Sequence, residues 1–212
     1  MTGGRDSGAR GHGARPMTFK TDASNADANA RAMPADAAEP AVRCPPPSLV
    51  RAGRLGLSLR EETEHDGGFT VKLYASTRAE ELAPVPWSDA EKAAFLAFQH
   101  DAQHTHYRRH YPDAGWFIVE SEGKAVGRLY LERWTREVRI IDIALLPIAR
   151  GRGYGTALLK DVIDEASAAG KTVSIHVEKM NPAMSLYRRL GFRDVEDKGV
   201  YLLMQRDPEG AG

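Results

Sequence analysis

The sequence predicts an α+β domain built on a mixed, mostly antiparallel sheet flanked by helices. Three observations carry that reading. Short runs of alternating apolar residues mark strands through the last two thirds of the chain, and apolar residues at helical spacing fall between them. The predicted order is β, α, β, β, β, α, β, α, β, β, with a single strand-turn-helix-strand unit in the middle rather than a repeated alternation.

The elements follow in chain order. Residues 1 to about 66 are rich in Ala, Gly, Pro, Arg and Asp and hold almost no aromatics, too little apolar surface to offset ordering entropy. They are expected to form a largely disordered tail. Met17 and Met33 lie within it as later candidate starts, and Val50 to Leu59 has the makings of a short helix or strand against the domain. From Gly67 onward Phe69, Val71, Leu73 and Ala75 alternate with polar residues, which predicts a half-buried strand. Ser88 with Glu91 three residues later reads as a capping box. It opens a helix that carries Ala94, Phe95, Phe98 and Ala102 on one face and stops near Tyr111-Pro112.

Trp116 to Glu120 and Ala125 to Leu131, joined by Ser121-Glu122-Gly123-Lys124, predict a hairpin. Val138 to Leu146 is a strand-length apolar run. A glycine turn follows, then a helix from about Gly153 to Ala169 with Leu158, Leu159, Val162, Ile163 and Ala166 on its buried side and Gly170 at its end. Val173, Ile175 and Val177 alternate as a further strand. Asn181-Pro182 opens a short helix ended by Gly191, and Val195 with Val200 to Met204 completes a terminal hairpin. The folded domain is thus expected at 67–207, followed by a short disordered terminus at 208–212.

Composition removes several function classes. Lys plus Arg (29) balances Asp plus Glu (29), so long-range attraction to nucleic acid is not expected. No apolar run approaches the length of a membrane helix and no signal-like segment opens the chain, which predicts a cytoplasmic protein without a membrane partner. Cys44, the single cysteine, has no disulfide partner and no histidine beside it, so a covalent cysteine mechanism is disfavoured.

The chemistry concentrates in Arg150-Gly151-Arg152-Gly153-Tyr154-Gly155-Thr156. A helix start presents unpaired N–H groups and the positive end of the helix dipole, and glycines at 151, 153 and 155 remove the Cβ atoms that would keep a diphosphate away. Arg150 and Arg152 add charge. A Walker A loop is excluded because no Gly-Lys-Ser/Thr is present. A dinucleotide fingerprint fits the first two glycines and an acidic Glu178, but Thr156 stands at the third glycine position and a lone unit after a meander does not build a doubly wound sheet. A tight turn with no ligand is the plain alternative.

Arg150-x-x-Gly153-x-Gly155 after a strand ending Ile143-Ala144-Leu145-Leu146-Pro147 resembles the acetyl-CoA motif of the GCN5-related N-acetyltransferases. About 30 residues on, Asn181-Pro182-Ala183 with Tyr187 and Leu190-Gly191-Phe192 is similar to that family's next motif, and the likeness in element order runs from about 69 to 206. The resemblance implies the acyl-CoA N-acyltransferase fold, its sheet splayed between the fourth and fifth strands, Val138 to Leu146 and Thr172 to Glu178. It implies acetyl-CoA as co-substrate, with pantetheine paired to Ile143, Ala144 and Leu145 and the diphosphate held by the amides of Gly151 to Thr156. Asn181 would contact the cofactor and Tyr187 would approach its sulfur.

On that reading acetyl passes directly to a primary amine of a small molecule or peptide in a ternary complex. Tyr187 is the candidate acid, with packing of the short helix against Met184 as its alternative. His176 falls on the polar side of its strand with Ser174 and Glu178 and is the candidate base, with an ordinary hydrogen-bonded strand histidine as its alternative. Asp142 or Glu178 acting through water is a further option. His100, His104, His106 and His110 resemble a zinc-protease spacing only superficially, because Asp101 replaces the glutamate and no third ligand follows; no metal is expected. Tyr107 and Tyr111, with Arg108, are candidates for the wall of the acceptor pocket. Relatives are often homodimers. A non-catalytic acyl-CoA sensor on the same fold and a NAD-linked oxidoreductase are the competing functions.

Overall fold

A computed structural model describes residues 44–209. The expectations for 1–43 and 210–212 lie outside the described residues. The elements are α1 (Arg51–Arg54), β1 (Leu57–Glu61), a 3-10 turn (Glu64–Asp66), α2 (Gly67–Leu82), α3 (Asp89–His110), β2 (Gly115–Ser121), β3 (Lys124–Arg133) and β4 (Glu137–Leu145). A 3-10 turn (Pro147–Ala149), α4 (Tyr154–Ala168), β5 (Thr172–Glu178), α5 (Met184–Arg189), β6 (Arg193–Lys198) and β7 (Tyr201–Arg206) complete the chain. The strands form one sheet in the order β1-β2-β3-β4-β5-β7-β6, antiparallel except for β4 and β5.

Two expectations change. The run Phe69 to Ala75 is helical: it lies in α2, where Thr70, Leu73 and Tyr74 are buried at i, i+3 and i+4 while Phe69 and Val71 are only half-buried. Four alternating residues fit both periods. A capping box in which Asp66 accepts from Thr63 N–H at 2.8 Å sits one turn ahead of α2 and pins its start. The first strand is instead β1, inside the stretch expected to be a largely disordered tail. Leu57–Glu61 pairs with the C-terminal five residues of β2, from Leu57 opposite Ser121 to Glu61 opposite Phe117. Just before it, Asp161 of α4 accepts from Arg51 N–H and Ala52 N–H, each at 2.8 Å, and so caps α1.

The sheet buries two different faces. On one, α4 lays Leu158, Leu159, Val162 and Ile163 against Val119, Leu129, Leu131, Val138, Ile140 and Val173, an aliphatic core. On the other, α3 sets Tyr107 and Tyr111 against Trp116, Tyr130 and Ile141, and α2 meets α3 through Tyr74, Leu82 and Leu96. Ser88 caps α3 with Glu91 in reciprocal bonds, as its sequence predicts.

Candidate active site in the sheet fork

The parallel pairing of β4 with β5 runs only from Glu137 opposite Thr172 to Ile140 opposite Ile175. Past that point β4 stays paired to β3 as far as Leu145 opposite Gly127, while β5 stays paired to β7 as far as Glu178 opposite Tyr201. The sheet therefore forks. A bulge at Ile141, where the register shifts between Tyr130 opposite Asp142 and Leu131 opposite Ile140, adds local twist and starts the divergence. β4 is buried from Val138 to Ile141 and half-buried from Asp142 through Leu145. Ile143, Ala144 and Leu145 thus line the fork with one backbone edge that no strand of the described residues covers.

β4 leads from this fork into the glycine turn and α4. Gly151 (φ +72°) and Gly153 (φ +81°) adopt the left-handed conformation that side chains resist, and nothing lies within 4 Å of a Cβ built at Gly151. α4 begins at Tyr154 with no side chain capping it, so the amides of Tyr154, Gly155 and Thr156 lack intrahelical acceptors. A Cβ at Gly155 would touch Leu145 at 3.8 Å and Leu186 at 4.0 Å, so this glycine sits where β4, α4 and α5 converge. The two arginines divide. Arg150 turns back, donating to Leu145 O at 2.9 Å, whereas Arg152 is exposed at the turn. The Tyr154 hydroxyl lies 3.4 Å from Ser121 Oγ.

Across the fork, Asn181 accepts from Ala183 N–H at 2.8 Å and orders the turn into α5, which begins at Met184, two residues later than Asn181-Pro182 suggests. α5 delivers Tyr187, 5% exposed, edge-on to Phe192 at 5.8 Å. Burial raises its pKa above the ordinary tyrosine value, and the negative charge of Asp142 raises it further. Asp142 itself bonds the buried Arg128 guanidinium at 2.6 Å, and Arg128 also donates to Gln103 of α3 at 3.0 Å.

His176 is the first residue of β5 beyond the paired segment. Its Nδ1 lies 2.9 Å from Arg139 Nη1 and its Nε2 is enclosed without a hydrogen-bond partner. Burial, then the charges of Arg139 and Lys198, hold its pKa down to about 3. An imidazole beside a guanidinium is a poor proton acceptor, which argues against the base role its strand position suggested.

Tyr107 and Tyr111 do not line an open pocket. They are 6% and 2% exposed in the aromatic core, where Tyr111 stacks on Trp134, and burial pushes the Tyr111 hydroxyl up to about 12. The open depression on that side, about 850 Å³, is lined instead by Glu62, Thr70, His100, His104 and Arg108. His100 and His104 stack at 5.8 Å, and among the described residues no group of three or more His, Cys, Asp or Glu is placed to hold a metal ion. Sequence reasoning missed Arg128, Arg139 and Glu62, whose side chains are buried beside the fork or the depression. Arginine and glutamate on a strand or loop give no apolar periodicity to read.

Known proteins resemble this chain in sequence and fold. The model of the Acetyltransferase (GNAT) family matches residues 76–192, more than half of the chain. An uncharacterized N-acetyltransferase of Methanocaldococcus jannaschii is 37% identical over 92 residues, 39% of this chain and 40% of that protein. The mycothiol acetyltransferase of Nocardiopsis dassonvillei is 32% identical over 113 residues, 51% and 34% of the two chains. These matches span less than half of either relative. The PaiA N-acetyltransferase of Thermoplasma acidophilum, solved in complex with coenzyme A, superposes with a TM-score of 0.54 at 14% identity over 71% of this chain and 98% of that one, a likeness of fold. With its forked sheet, its glycine turn and the span of the family match, the chain belongs to the GNAT acetyltransferase family.

Proposed function

We propose that this protein is an acetyl-CoA-dependent N-acetyltransferase that passes the acetyl group directly to a primary amine of a small molecule or peptide. One observation carries the reading: the uncovered edge of β4 leads straight into a capless helix start cleared of Cβ atoms, with a buried tyrosine on the opposite wall. Coenzyme A has the matching parts, an amide-bearing arm for a strand edge and a diphosphate for a helix N-terminus. Ile143, Ala144 and Leu145 would take the arm, Gly151 to Thr156 with Arg152 the diphosphate, and Asn181 a further contact. Arg150, turned toward Leu145 O, holds the turn against β4 and supports the site from behind.

Bound acetyl-CoA supplies an activated acetyl thioester. The chain's own task is to orient the amine and to stabilise the departing sulfur. Burial and Asp142 keep the Tyr187 hydroxyl protonated across the neutral range, as a hydrogen-bond donor to a thiolate must be. Full proton transfer from so weak an acid is uphill, so Tyr187 acts chiefly by hydrogen bonding to the leaving sulfur.

The test is release of free thiol from acetyl-CoA by the full chain against a panel of small amines and peptides. Turnover with at least one amine is expected, and Tyr187→Phe should lower kcat by about 10- to 100-fold while leaving coenzyme A affinity within about threefold. Tight binding of coenzyme A with no turnover against any amine would favour a sensor, and binding of a nicotinamide dinucleotide in its place would sink both readings.

A further inference from the structure

We propose that His176 serves the reaction as a neutral N–H donor at the fork, and that Arg139 is the positioning residue that fixes its tautomer. The inference rests on the acetyltransferase reading for its functional half and on geometry alone for its structural half. A guanidinium has donors and no acceptor. Arg139 Nη1, 2.9 Å from His176 Nδ1, therefore requires a lone pair on Nδ1, and the ring proton of the neutral imidazole must sit on Nε2.

Arg139 has little freedom to do otherwise. It is 1% exposed, donates through Nε to Glu137 at 3.0 Å and to Ser174 Oγ at 2.5 Å, and pairs through Nη2 with Glu137 at 2.8 Å. Ser174 in turn donates to Glu137. The guanidinium is thus held by a carboxylate and a hydroxyl on one side, also hydrogen-bonds the Tyr111 side chain, and turns Nη1 toward the histidine.

His176 Nε2 is enclosed and lacks an acceptor among the described residues. A buried N–H without a partner is destabilising, and it marks a position that an oxygen can satisfy. His176 is the first β5 residue past the last parallel pair, and its side chain lies on the Arg139 side of the sheet, away from α4 and the glycine turn. The oxygen it awaits is therefore on the acceptor's side: a carbonyl or hydroxyl of the acceptor, or the water that solvates its amine. The groups that set the charge of the ring are Arg139 with its partner Glu137 from β4 and Lys198 from β6, while Tyr111, after α3, lies in the field of Arg139. With two cations against one carboxylate, the ring stays neutral and takes up no proton from the amine. The amine must then arrive deprotonated.

Two measurements test this. In the ligand-free full chain, ¹⁵N–¹H spectra of His176 should show the Nε2–H tautomer without an imidazolium form down to about pH 5, and Arg139→Lys, which keeps a donor, should preserve it; Nδ1–H, or an imidazolium at pH 6, overturns the proposal. In kinetics, His176→Gln keeps an N–H donor and offers Arg139 an oxygen but has no basic nitrogen. It should hold kcat/KM within about fivefold of the wild type, whereas His176→Ala should lose about 10- to 100-fold. The wild-type profile should climb with pH toward the pKa of the acceptor amine. Equal losses in the Gln and Ala variants, with an inflection near pH 6.5 in the wild type that both abolish, would establish a base and overturn the assignment. If the wild type releases no thiol with any amine, the acetyltransferase reading falls, and the spectra still decide the tautomer.

Discussion

The two faces of the sheet are held together by different physics. Against α4 the interface is aliphatic: Leu158, Leu159, Val162 and Ile163 meet Val138, Ile140 and Val173, and Asp161, the one buried charge on that helix, is spent on capping α1. Against α2 and α3 the interface carries Arg128, Arg139, Gln103, His100, Glu132 and Ser174, all less than 9% exposed, among aromatic rings. The aliphatic face gains from every buried methylene. The polar face gains only while each charged group keeps its partner, because a buried charge left alone costs far more than the pair contributes. The fork lies between them, with an apolar floor on the α4 side and a hydrogen-bonded network on the α2 and α3 side.

The largest effect should come from breaking that network. Arg128→Met removes the guanidinium from Asp142 (2.6 Å) and Gln103 (3.0 Å) and strands a carboxylate beside the fork. Chemical denaturation should show a loss of about 3–5 kcal/mol. On the opposite face Leu158→Ala opens a cavity under a residue that is fully buried, and should cost about 3 kcal/mol, within the range for such truncations. The contrast sharpens in the double variant Arg128→Met with Asp142→Leu, which removes both charges and should recover most of the loss. If Arg128→Met alone costs less than 1 kcal/mol, the polar face is solvated and the comparison fails.

The same contrast explains what the sequence made legible. α4 could be read to within about a residue at either end, and the hairpin of β2 and β3 to within about two, because apolar residues recur there at one unambiguous period. The glycine turn, Asn181 and Tyr187 stood out as candidates because backbone chemistry and motif spacing act locally. α2 was misread because Phe69 to Ala75 satisfies a strand period while the helix buries Thr70, Leu73 and Tyr74. β1 was hidden in a segment whose composition resembles a tail; what orders it is remote, namely the β2 edge and Asp161, 109 residues from Ala52. Tyr107, on α3, and Tyr111, which follows it, lie in the buried aromatic core rather than along an open pocket. The pairings of Arg128 with Asp142 and of Arg139 with His176 join residues 14 and 37 positions apart across strands, and only the register of the sheet reveals them.

The smallest expected effect is the most diagnostic of the polar face. Glu132 is 7% exposed, its Oε2 has no hydrogen-bond partner among the described residues, and burial, then the charge of Asp113, pushes its carboxyl up to about 7. In the unfolded chain the same group ionises near 4.5. Below pH 4.5 both states hold the proton and Glu132 costs nothing. As pH rises from 4.5 to 7 the unfolded chain releases it while the folded one retains it, so stability falls, and above 7 the full penalty persists. Glu132→Gln, neutral at every pH, should therefore stabilise the protein by about 1–2 kcal/mol at pH 8, less than the whole linkage penalty because the amide also lacks partners there. At pH 4.5 the gain should vanish or reverse. Thermal melts of wild type and variant across pH 4.5 to 8 should thus diverge only on the alkaline side; parallel curves would mean that Glu132 is ionised in the folded state, stabilised by a partner such as Arg133, and that this face carries its charges more cheaply than its burial implies.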